Sequence, residues 1–243
     1  MRQMLVMVFG LAALQGCTKS EPLKSEKKAS EATRTVSKKS STEASASRSN
    51  AAPQGKKISA APAMPAPGEL APDFRLTSYQ GEAVQLSSLK GSVVVLEWFN
   101  PECPFVKYAY NEGPMKKLIS ESRAKGAVWI GINSGAIGNQ GHGKDTNLNA
   151  MKAWGLTHAV CPDESGEVGQ RYGATRTPEV VVIDKAGKIA YRGALDSSRG
   201  ATPEPEDSYT NYAKQAIWAA LEGKPQPDAA STKPWGCTVK YAR

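Results

Sequence analysis

A single thiol, Cys103, stands directly after a long apolar run and at the predicted start of a helix. The run, residues 92–99 with the sequence SVVVLEWF, is typical of a buried parallel strand. A helix N-terminus carries about half a positive charge and unpaired N–H groups, and both favour a thiolate over a thiol. We therefore expect a lowered pKa and a nucleophilic sulfur at Cys103. An inert buried thiol is the alternative, because that is the commonest fate of an isolated cysteine.

Glu97 lies inside the same apolar run. The four apolar residues before it favour a buried carboxylate over one that faces solvent from an edge strand. A buried carboxyl group near a reactive thiol is able to accept or donate a proton.

The two histidines, His142 and His158, do not combine with the cysteines into any spacing typical of a zinc site. The glycine-rich segment SGAIGNQGHGK also lacks the spacing of a phosphate-binding or dinucleotide-binding loop. We expect neither a metal ion nor a bound cofactor.

Residues 1–17, MRQMLVMVFGLAALQGC, have the layout of a secretory signal: one Arg, a short apolar stretch and then small residues. The ending LQGC resembles a bacterial lipobox, which implies that Cys17 is acylated and becomes the first residue after cleavage. A plain signal peptide is the alternative. We expect a lipid-anchored, extracytoplasmic protein of the bacterial envelope, held at the inner membrane or at the periplasmic face of the outer membrane.

Residues 18–68 are rich in Ser, Ala, Pro and Lys and contain no aromatic residue. Such a segment cannot bury enough apolar surface to offset the entropy of ordering it, so we expect a disordered tether. It holds ten Lys/Arg and four Glu, a net charge of +6 out of the +8 of the whole chain. Residues 69–243 hold 20 Lys/Arg and 19 Asp/Glu, so the predicted folded domain is almost neutral. This balance and the export signal argue against a nucleic-acid partner.

The folded part alternates strand-like and helix-like patterns. A hairpin is predicted about Gln80 and Gly81, and residues 127–133 and 158–162 predict further strands. Helices are predicted over 103–123, with a break at Gly113-Pro114, and over 146–154, 166–172 and 209–222. A second hairpin is predicted over 180–192. This order indicates an α/β domain with helices on both faces of a mixed sheet, and chemistry at the carboxyl ends of its parallel strands.

The stretch VVVLEWFNPECPFVK resembles the active site of the thioredoxin superfamily, in which a strand leads to a Cys-x-x-Cys motif at a helix start. Here the first cysteine is Cys103, and Val106 stands where the second would be. Members of the superfamily also carry a buried carboxylate six residues before the first cysteine, which is the position of Glu97. The resemblance implies a thioredoxin-like fold and thiol–disulfide chemistry.

A second superfamily signature is a proline, usually cis, that faces the active cysteine. Thr177-Pro178 fits it, within the segment YGATRTPE. The resemblance implies that the backbone of Thr177 is an exposed edge on which a substrate backbone pairs beside the sulfur.

The segments GELAPDF, YGATRTPE and GCTVK resemble the redoxin-type, peroxiredoxin-like branch of the superfamily. Peroxiredoxins carry a Pro seven residues and a Thr three residues before their reactive cysteine, and this chain has Leu96 and Asn100 there. This departure argues against efficient peroxide reduction. Arg176 is a candidate to bring positive charge towards Cys103, and an exposed loop arginine is the alternative.

Two thiols are left besides Cys17 and Cys103, and sequence cannot decide their pairing. Cys237 lies in a tail able to fold back onto the active site, and it is the first candidate for a cysteine that resolves a mixed disulfide on Cys103. Cys161, at the end of a predicted strand, is the second candidate. A structural bridge between Cys161 and Cys237 is the alternative.

Three functions follow from these residues. The first is thiol–disulfide exchange at Cys103 with a protein or small-molecule thiol or disulfide as partner. The second is a thiol peroxidase that forms a sulfenic acid on Cys103. The third is a binding module without catalysis, since one cysteine survives where the superfamily has two.

Overall fold

The structure, a computed structural model, describes residues 64–200, 209–227 and 230–242. The chain divides into the units Met1–Gly55 and Lys56–Arg243, and all described residues belong to the second. The predicted signal segment with Cys17, and the predicted tether as far as residue 63, lie outside the described residues. The last part of the predicted tether is packed on the domain, because the Pro65 carbonyl accepts a 2.9 Å hydrogen bond from Arg192 Nη1.

The described elements follow the predicted alternation. The strands are β1 (Arg75–Thr77), β2 (Ala83–Gln85), β3 (Val94–Trp98), β4 (Val128–Asn133), β5 (Ala159–Pro162), β6 (Arg176–Thr177), β7 (Glu179–Ile183), β8 (Ile189–Gly193) and β9 (Cys237–Thr238). The helices are α1 (Pro104–Asn111), α2 (Met115–Ala124), α3 (Lys144–Trp154), α4 (Glu167–Tyr172) and α5 (Tyr212–Glu222). Within the described residues, no helix has the length and apolar character needed to cross a membrane.

A five-stranded mixed sheet forms the centre, with the strand order β5-β4-β3-β7-β8. Strand β3 runs parallel to β4 and antiparallel to β7, while β4 and β5 are parallel. All five residues of β3 are buried, as expected for a central strand covered on both faces. The predicted α/β class with a mixed sheet is confirmed.

Helices cover both faces of this sheet. One apolar cluster joins α1, α2, α3 and α5 to side chains of β3 such as Val95. The cluster on the other face joins α4 and the β1–β2 hairpin to residues such as Leu96. The alternation of Val95 and Leu96 is the period of two that assigns successive strand residues to opposite faces.

Two local predictions are confirmed and one is adjusted. The hairpin turns at Gln80 and Gly81, where Gly81 has a φ of +95°, and α1 ends before Gly113-Pro114 so that α2 starts afresh. The last helix begins at Tyr212 rather than at residue 209, because the Asn211 side chain caps it by accepting a 2.8 Å hydrogen bond from the Lys214 N–H.

Candidate active site

Cys103 lies where β3 passes into α1, at the carboxyl edge of the sheet. It is the N-cap residue of α1, with Pro104 in the first turn, and its side chain is fully buried. Pro104 suits this position because its missing N–H would have no partner within the helix. The sulfur is therefore held near the unpaired N–H groups of a helix start, as the sequence predicted.

A second element approaches the sulfur from the loop before β7. The Thr177–Pro178 peptide bond is cis, and the Cys103 Sγ–H donates a 3.2 Å hydrogen bond to the Thr177 carbonyl. The predicted juxtaposition of this proline loop with the active cysteine is therefore present.

Cys237 reaches the same place from the C-terminal tail. Strand β9 pairs antiparallel with β6, and Cys237 lies directly opposite Thr177 in that register. The side chains of Cys103 and Cys237 are close enough to shift each other's pKa, and both thiols are free. The structure thus brings together two cysteines that are 134 positions apart in the chain.

The two thiols differ in acidity. Burial raises the pKa of Cys103, but interactions with the Cys237 side chain and the Val106 N–H outweigh it, and the net pKa lies below the ordinary 9.0. Burial, together with the hydrogen bond and negative charge of Cys103, raises the pKa of Cys237 to about 11. Cys103 is therefore the more acidic thiol of the pair.

Glu97 is completely buried on β3, as predicted. Its Oε2 accepts a 2.7 Å hydrogen bond from the Tyr110 hydroxyl, while its Oε1 has no hydrogen-bond partner. Burial raises the pKa of Glu97 to about 8, although the bond from Tyr110 lowers it. The group is therefore poised to exchange a proton near neutral pH.

Cys161 is not brought to this site. It lies on β5 in the apolar cluster of α4 and the hairpin, whereas Cys103 belongs to the cluster on the opposite face of the sheet. Burial raises the pKa of Cys161 to about 12. A buried thiol of this kind is unreactive, so its geometry supports neither a resolving role nor a bridge to Cys237.

Of the two interpretations of Arg176, a charge near the sulfur and an exposed loop arginine, the structure favours the second. Arg176 Nη1 donates a 3.1 Å hydrogen bond to the neighbouring Thr175 carbonyl at the surface. Asn100, at the position of the peroxiredoxin threonine, uses its side chain to bond the Gln140 carbonyl at 3.1 Å and the Glu102 N–H at 2.9 Å.

The prediction that Thr177 offers an exposed backbone edge is wrong for this structure. Thr177 is 3% exposed because β9 of the same chain lies along it. Sequence could not reveal this pairing, since β9 is a two-residue strand with no periodic apolar pattern.

The histidines have structural surroundings. His142 Nε2 lies 2.8 Å from Glu164 Oε1, and His158 is buried beside Trp129 with its pKa lowered by burial to about 4. Among the described residues, no three His, Cys, Asp or Glu side chains are grouped so as to hold a metal ion.

Two residues that sequence reasoning missed support the site. The Glu179 carboxylate, one residue after Pro178, accepts hydrogen bonds from the N–H groups of Thr175 and Arg176 at 2.8 and 3.1 Å. Tyr110 is the other residue, and it supports the site through its hydrogen bond to Glu97. Sequence could not reveal this bond, because it depends on how α1 packs on the sheet.

Comparison with known proteins shows which family this chain resembles. The Redoxin family model matches residues 66–211. The thiol-disulfide oxidoreductase ResA of Bacillus thuringiensis subsp. konkukian (strain 97-27) is 29% identical over 126 residues, which are 50% of this chain and 66% of that protein. The ResA of Bacillus subtilis (strain 168) is 28% identical over 122 residues, 50% of this chain and 64% of that protein. The match thus spans just under two thirds of these curated relatives.

Two solved structures share the fold over most of their length. An uncharacterized conserved protein from Geobacillus kaustophilus has 29% identity and a TM-score of 0.63, over 74% of this chain and 94% of its own. A hypothetical protein from Sinorhizobium meliloti 1021 has 24% identity and a TM-score of 0.62, over 73% of this chain and 95% of its own. The thioredoxin-like fold implied by the sequence is confirmed, and the chain belongs to the Redoxin family.

Proposed function

We propose that this protein is a thiol–disulfide oxidoreductase in which Cys103 is the nucleophile and Cys237 resolves the mixed disulfide. The observation that carries the proposal is that Cys237 lies opposite Thr177 in the β6–β9 register, while the Thr177 carbonyl accepts the hydrogen bond from Cys103 Sγ. Both thiols are free, and Cys103 has the lowered pKa and Cys237 the raised one. The ResA relatives, which are named thiol-disulfide oxidoreductases, support the same chemistry.

The exchange takes place in two displacements. The Cys103 thiolate attacks one sulfur of a disulfide RSSR, forming Cys103–S–SR and releasing RS⁻, which takes up a proton. The Cys237 thiolate then attacks Cys103 Sγ, closes the Cys103–Cys237 disulfide and releases the second RS⁻, which is also protonated. In total the two protein thiols lose two electrons and two protons, and RSSR becomes two RSH.

The order of these steps follows from the charges. While Cys103 is a thiolate, burial, the hydrogen bond to Cys103 and the charge of Cys103 all raise the pKa of Cys237. A mixed disulfide on Cys103 carries no charge, so the two contributions from Cys103 disappear. Cys237 therefore becomes more acidic only after the substrate has been captured, when its thiolate is needed.

Glu97 is the candidate proton carrier for this chemistry. It is buried on the same face of the sheet as Cys103, on the strand that leads to the cysteine, and its pKa of about 8 lets it hold or release a proton near neutral pH. Glu97 needs no charged partner to act as a proton carrier. Burial in an apolar site keeps its carboxyl group protonated and neutral until it donates the proton.

The peroxidase alternative has less support. The side chains of Asn100 and Arg176 are engaged with Gln140, Glu102 and Thr175. A binding module without catalysis would not need a second thiol in contact with Cys103.

The partners are a protein or small-molecule thiol or disulfide. The lipobox-like ending at Cys17 supports a second proposal, acylation of Cys17 and attachment to the extracytoplasmic side of a membrane. Fatty-acid labelling that disappears in Cys17→Ala is the expected result, and labelling that persists would contradict it.

The exchange is tested with the reduced protein and a small disulfide such as hydroxyethyl disulfide. We expect one Cys103–Cys237 bond per chain by peptide mass mapping, with Cys161 left as a free thiol. Cys103→Ser should not react, Cys237→Ser should accumulate a mixed disulfide on Cys103, and the control Cys161→Ala should behave as the unaltered protein. A disulfide that includes Cys161, or an undiminished reaction in Cys103→Ser, would overturn the proposal.

A further inference from the structure

The C-terminal strap, defined here as residues 230–242, occupies the edge on which a substrate backbone would pair. Arg176 lies opposite Thr238 and Thr177 opposite Cys237, and the Val239 N–H donates a 3.1 Å hydrogen bond to the Thr175 carbonyl. The backbone from residue 175 to residue 177 therefore has its strand partner within the chain.

The strap is fastened before it reaches the site. The Thr232 N–H donates a 3.1 Å hydrogen bond to the Arg192 carbonyl on β8. Further along, Trp235 Nε1 donates a 2.8 Å hydrogen bond to the Asp196 carbonyl, and its ring meets Phe105 edge to face with 6.0 Å between ring centroids. Phe105 is the second residue of α1, so the Trp235 ring lies beside the helix that begins at Cys103.

The strap is also fastened after the site. The Ala136 N–H and the Asn139 side chain both donate to the Lys240 carbonyl, at 2.8 and 3.0 Å. The Tyr241 hydroxyl donates a 2.9 Å hydrogen bond to the Ala174 carbonyl. Because anchors lie on both sides of Cys237, a local movement at the cysteine does not release the strap.

Gly236 allows the close approach of the strap to Thr177. Its φ is +119°, and a Cβ atom at this position would lie 2.1 Å from the Thr177 carbonyl oxygen. Any side chain at 236 would therefore push the strap away from the edge. Such a substitution keeps the Cys237 thiol in the protein.

We propose that the C-terminal strap is a specificity element that restricts Cys103 to small thiols and disulfides and excludes extended polypeptides. The inference rests on the proposed exchange at Cys103. A polypeptide that pairs with Thr177 must replace the β6–β9 ladder and the bond from Val239, whereas a small disulfide needs access to one sulfur atom only. The chemistry is the two-displacement exchange described above, with R a small group.

The strap's own sequence supplies a polypeptide probe that fits the edge. One synthetic peptide of residues 230–242 carries its cysteine as a mixed disulfide with thionitrobenzoate, and a second has serine at that cysteine. Hydroxyethyl disulfide is the small probe. The unaltered protein is compared with Gly236→Ala and with a chain ending at Thr238, which keeps both reactive cysteines. Gly126→Ala is the matched control, since Gly126 has a φ of +93° and nothing within 4 Å of its Cβ position.

We expect Gly236→Ala and the shortened chain to react with the disulfide peptide at least about tenfold faster than the unaltered protein, the effect of roughly 1.4 kcal/mol of competing strand pairing. Their rates with hydroxyethyl disulfide report any change in the reactivity of Cys103 that follows displacement of Cys237, since a small reactant does not compete for the ladder. The gain of about tenfold should therefore remain when each peptide rate is divided by the hydroxyethyl disulfide rate of the same variant. Gly126→Ala should match the unaltered protein with both probes. Equal peptide rates in the unaltered protein and in both strap variants would overturn the proposal.

Binding of the serine peptide separates this inference from the proposed function. Calorimetry should detect binding to Gly236→Ala and to the shortened chain, and weaker or no binding to the unaltered protein. This readout requires no reaction at Cys103. If neither the unaltered protein nor the strap variants react with the disulfide peptide or with hydroxyethyl disulfide, the exchange chemistry is contradicted. If the serine peptide binds no better to the strap variants than to the unaltered protein, the specificity role of the strap is contradicted.

Discussion

The Tyr110 hydroxyl donates a 2.7 Å hydrogen bond to Glu97 Oε2 across the buried junction of α1 and β3. Trp154 holds the tyrosine in place by stacking on its ring, with 4.6 Å between the centroids and 5° between the planes. Trp154 is itself fixed through a 2.9 Å hydrogen bond to the Asn111 side chain. The carboxyl group thus has one directed partner in an apolar setting, which accounts for its raised pKa.

Glu97→Gln should change how stability depends on pH. Below pH 4.5, the ordinary pKa of a glutamate, Glu97 is protonated in the folded and the unfolded chain alike. Between pH 4.5 and about 8 only the unfolded chain loses this proton, so the free energy of unfolding falls as pH rises. The slope from one proton is at most about 1.4 kcal/mol per pH unit. Gln cannot ionise, so the variant should gain stability relative to the unaltered protein across that window.

Urea denaturation at several pH values measures this difference. Glu112→Gln is the control for the substitution itself, because Glu112 is exposed directly after α1. A constant difference between the unaltered protein and Glu97→Gln would contradict a raised pKa at Glu97.

Tyr110→Phe removes the single hydrogen bond that lowers the pKa of Glu97. The pKa of the carboxyl group should therefore rise above about 8, and the decline in stability should extend to higher pH. The carboxyl carbon resonance of Glu97, followed by NMR through a pH titration, reports this directly. An unchanged or lower midpoint would show that the tyrosine does not favour the ionised form.

Alkylation of Cys103 by iodoacetamide should follow its thiolate, with a midpoint below pH 9.0. Cys237→Ala removes hydrogen bonding that lowers the pKa of Cys103, so the midpoint should move to higher pH. Cys161→Ala serves as the control and should leave the midpoint where it is, because Cys161 lies on the other face of the sheet. A midpoint at or above 9.0 in the unaltered protein would contradict the assignment of Cys103 as the thiolate.

The sequence predicted the strands and helix start that position the site better than the side-chain contacts within it. Strands β3 and β4 are continuous apolar runs, so their burial and the position of Cys103 after β3 follow from composition and order alone. The pairing of Cys237 with Thr177 does not, because a two-residue strand far along the chain is selected by tertiary packing and not by local propensity. The sequence also left open whether Arg176 lies near the sulfur or at the surface, and its guanidinium bonds the Thr175 carbonyl at the surface.

Glu179 and Arg192 form a buried ion pair behind the proline loop. Arg192 Nη2 lies 3.7 Å from Glu179 Oε1, and the two side chains are 9% and 2% exposed. The other carboxylate oxygen accepts the N–H groups of Thr175 and Arg176, while Arg192 Nη1 donates to the Pro65 carbonyl. The pair therefore connects the loop before Pro178 with β8 and with the start of the described domain.

Removing one partner of this pair should be strongly destabilising, because the other partner is left buried without its counter-charge. Glu179→Ala leaves Arg192 buried without a counter-charge and leaves two N–H groups without an acceptor, so we expect a loss of about 3 to 5 kcal/mol in the free energy of unfolding. Glu179→Gln keeps an acceptor for those N–H groups and should lose less. In Glu179→Gln combined with Arg192→Met no buried charge is left, so the double variant should be more stable than the sum of the two single losses predicts. Chemical denaturation of the unaltered protein, Glu179→Gln, Arg192→Met and the double variant measures this coupling, and strictly additive losses would contradict it.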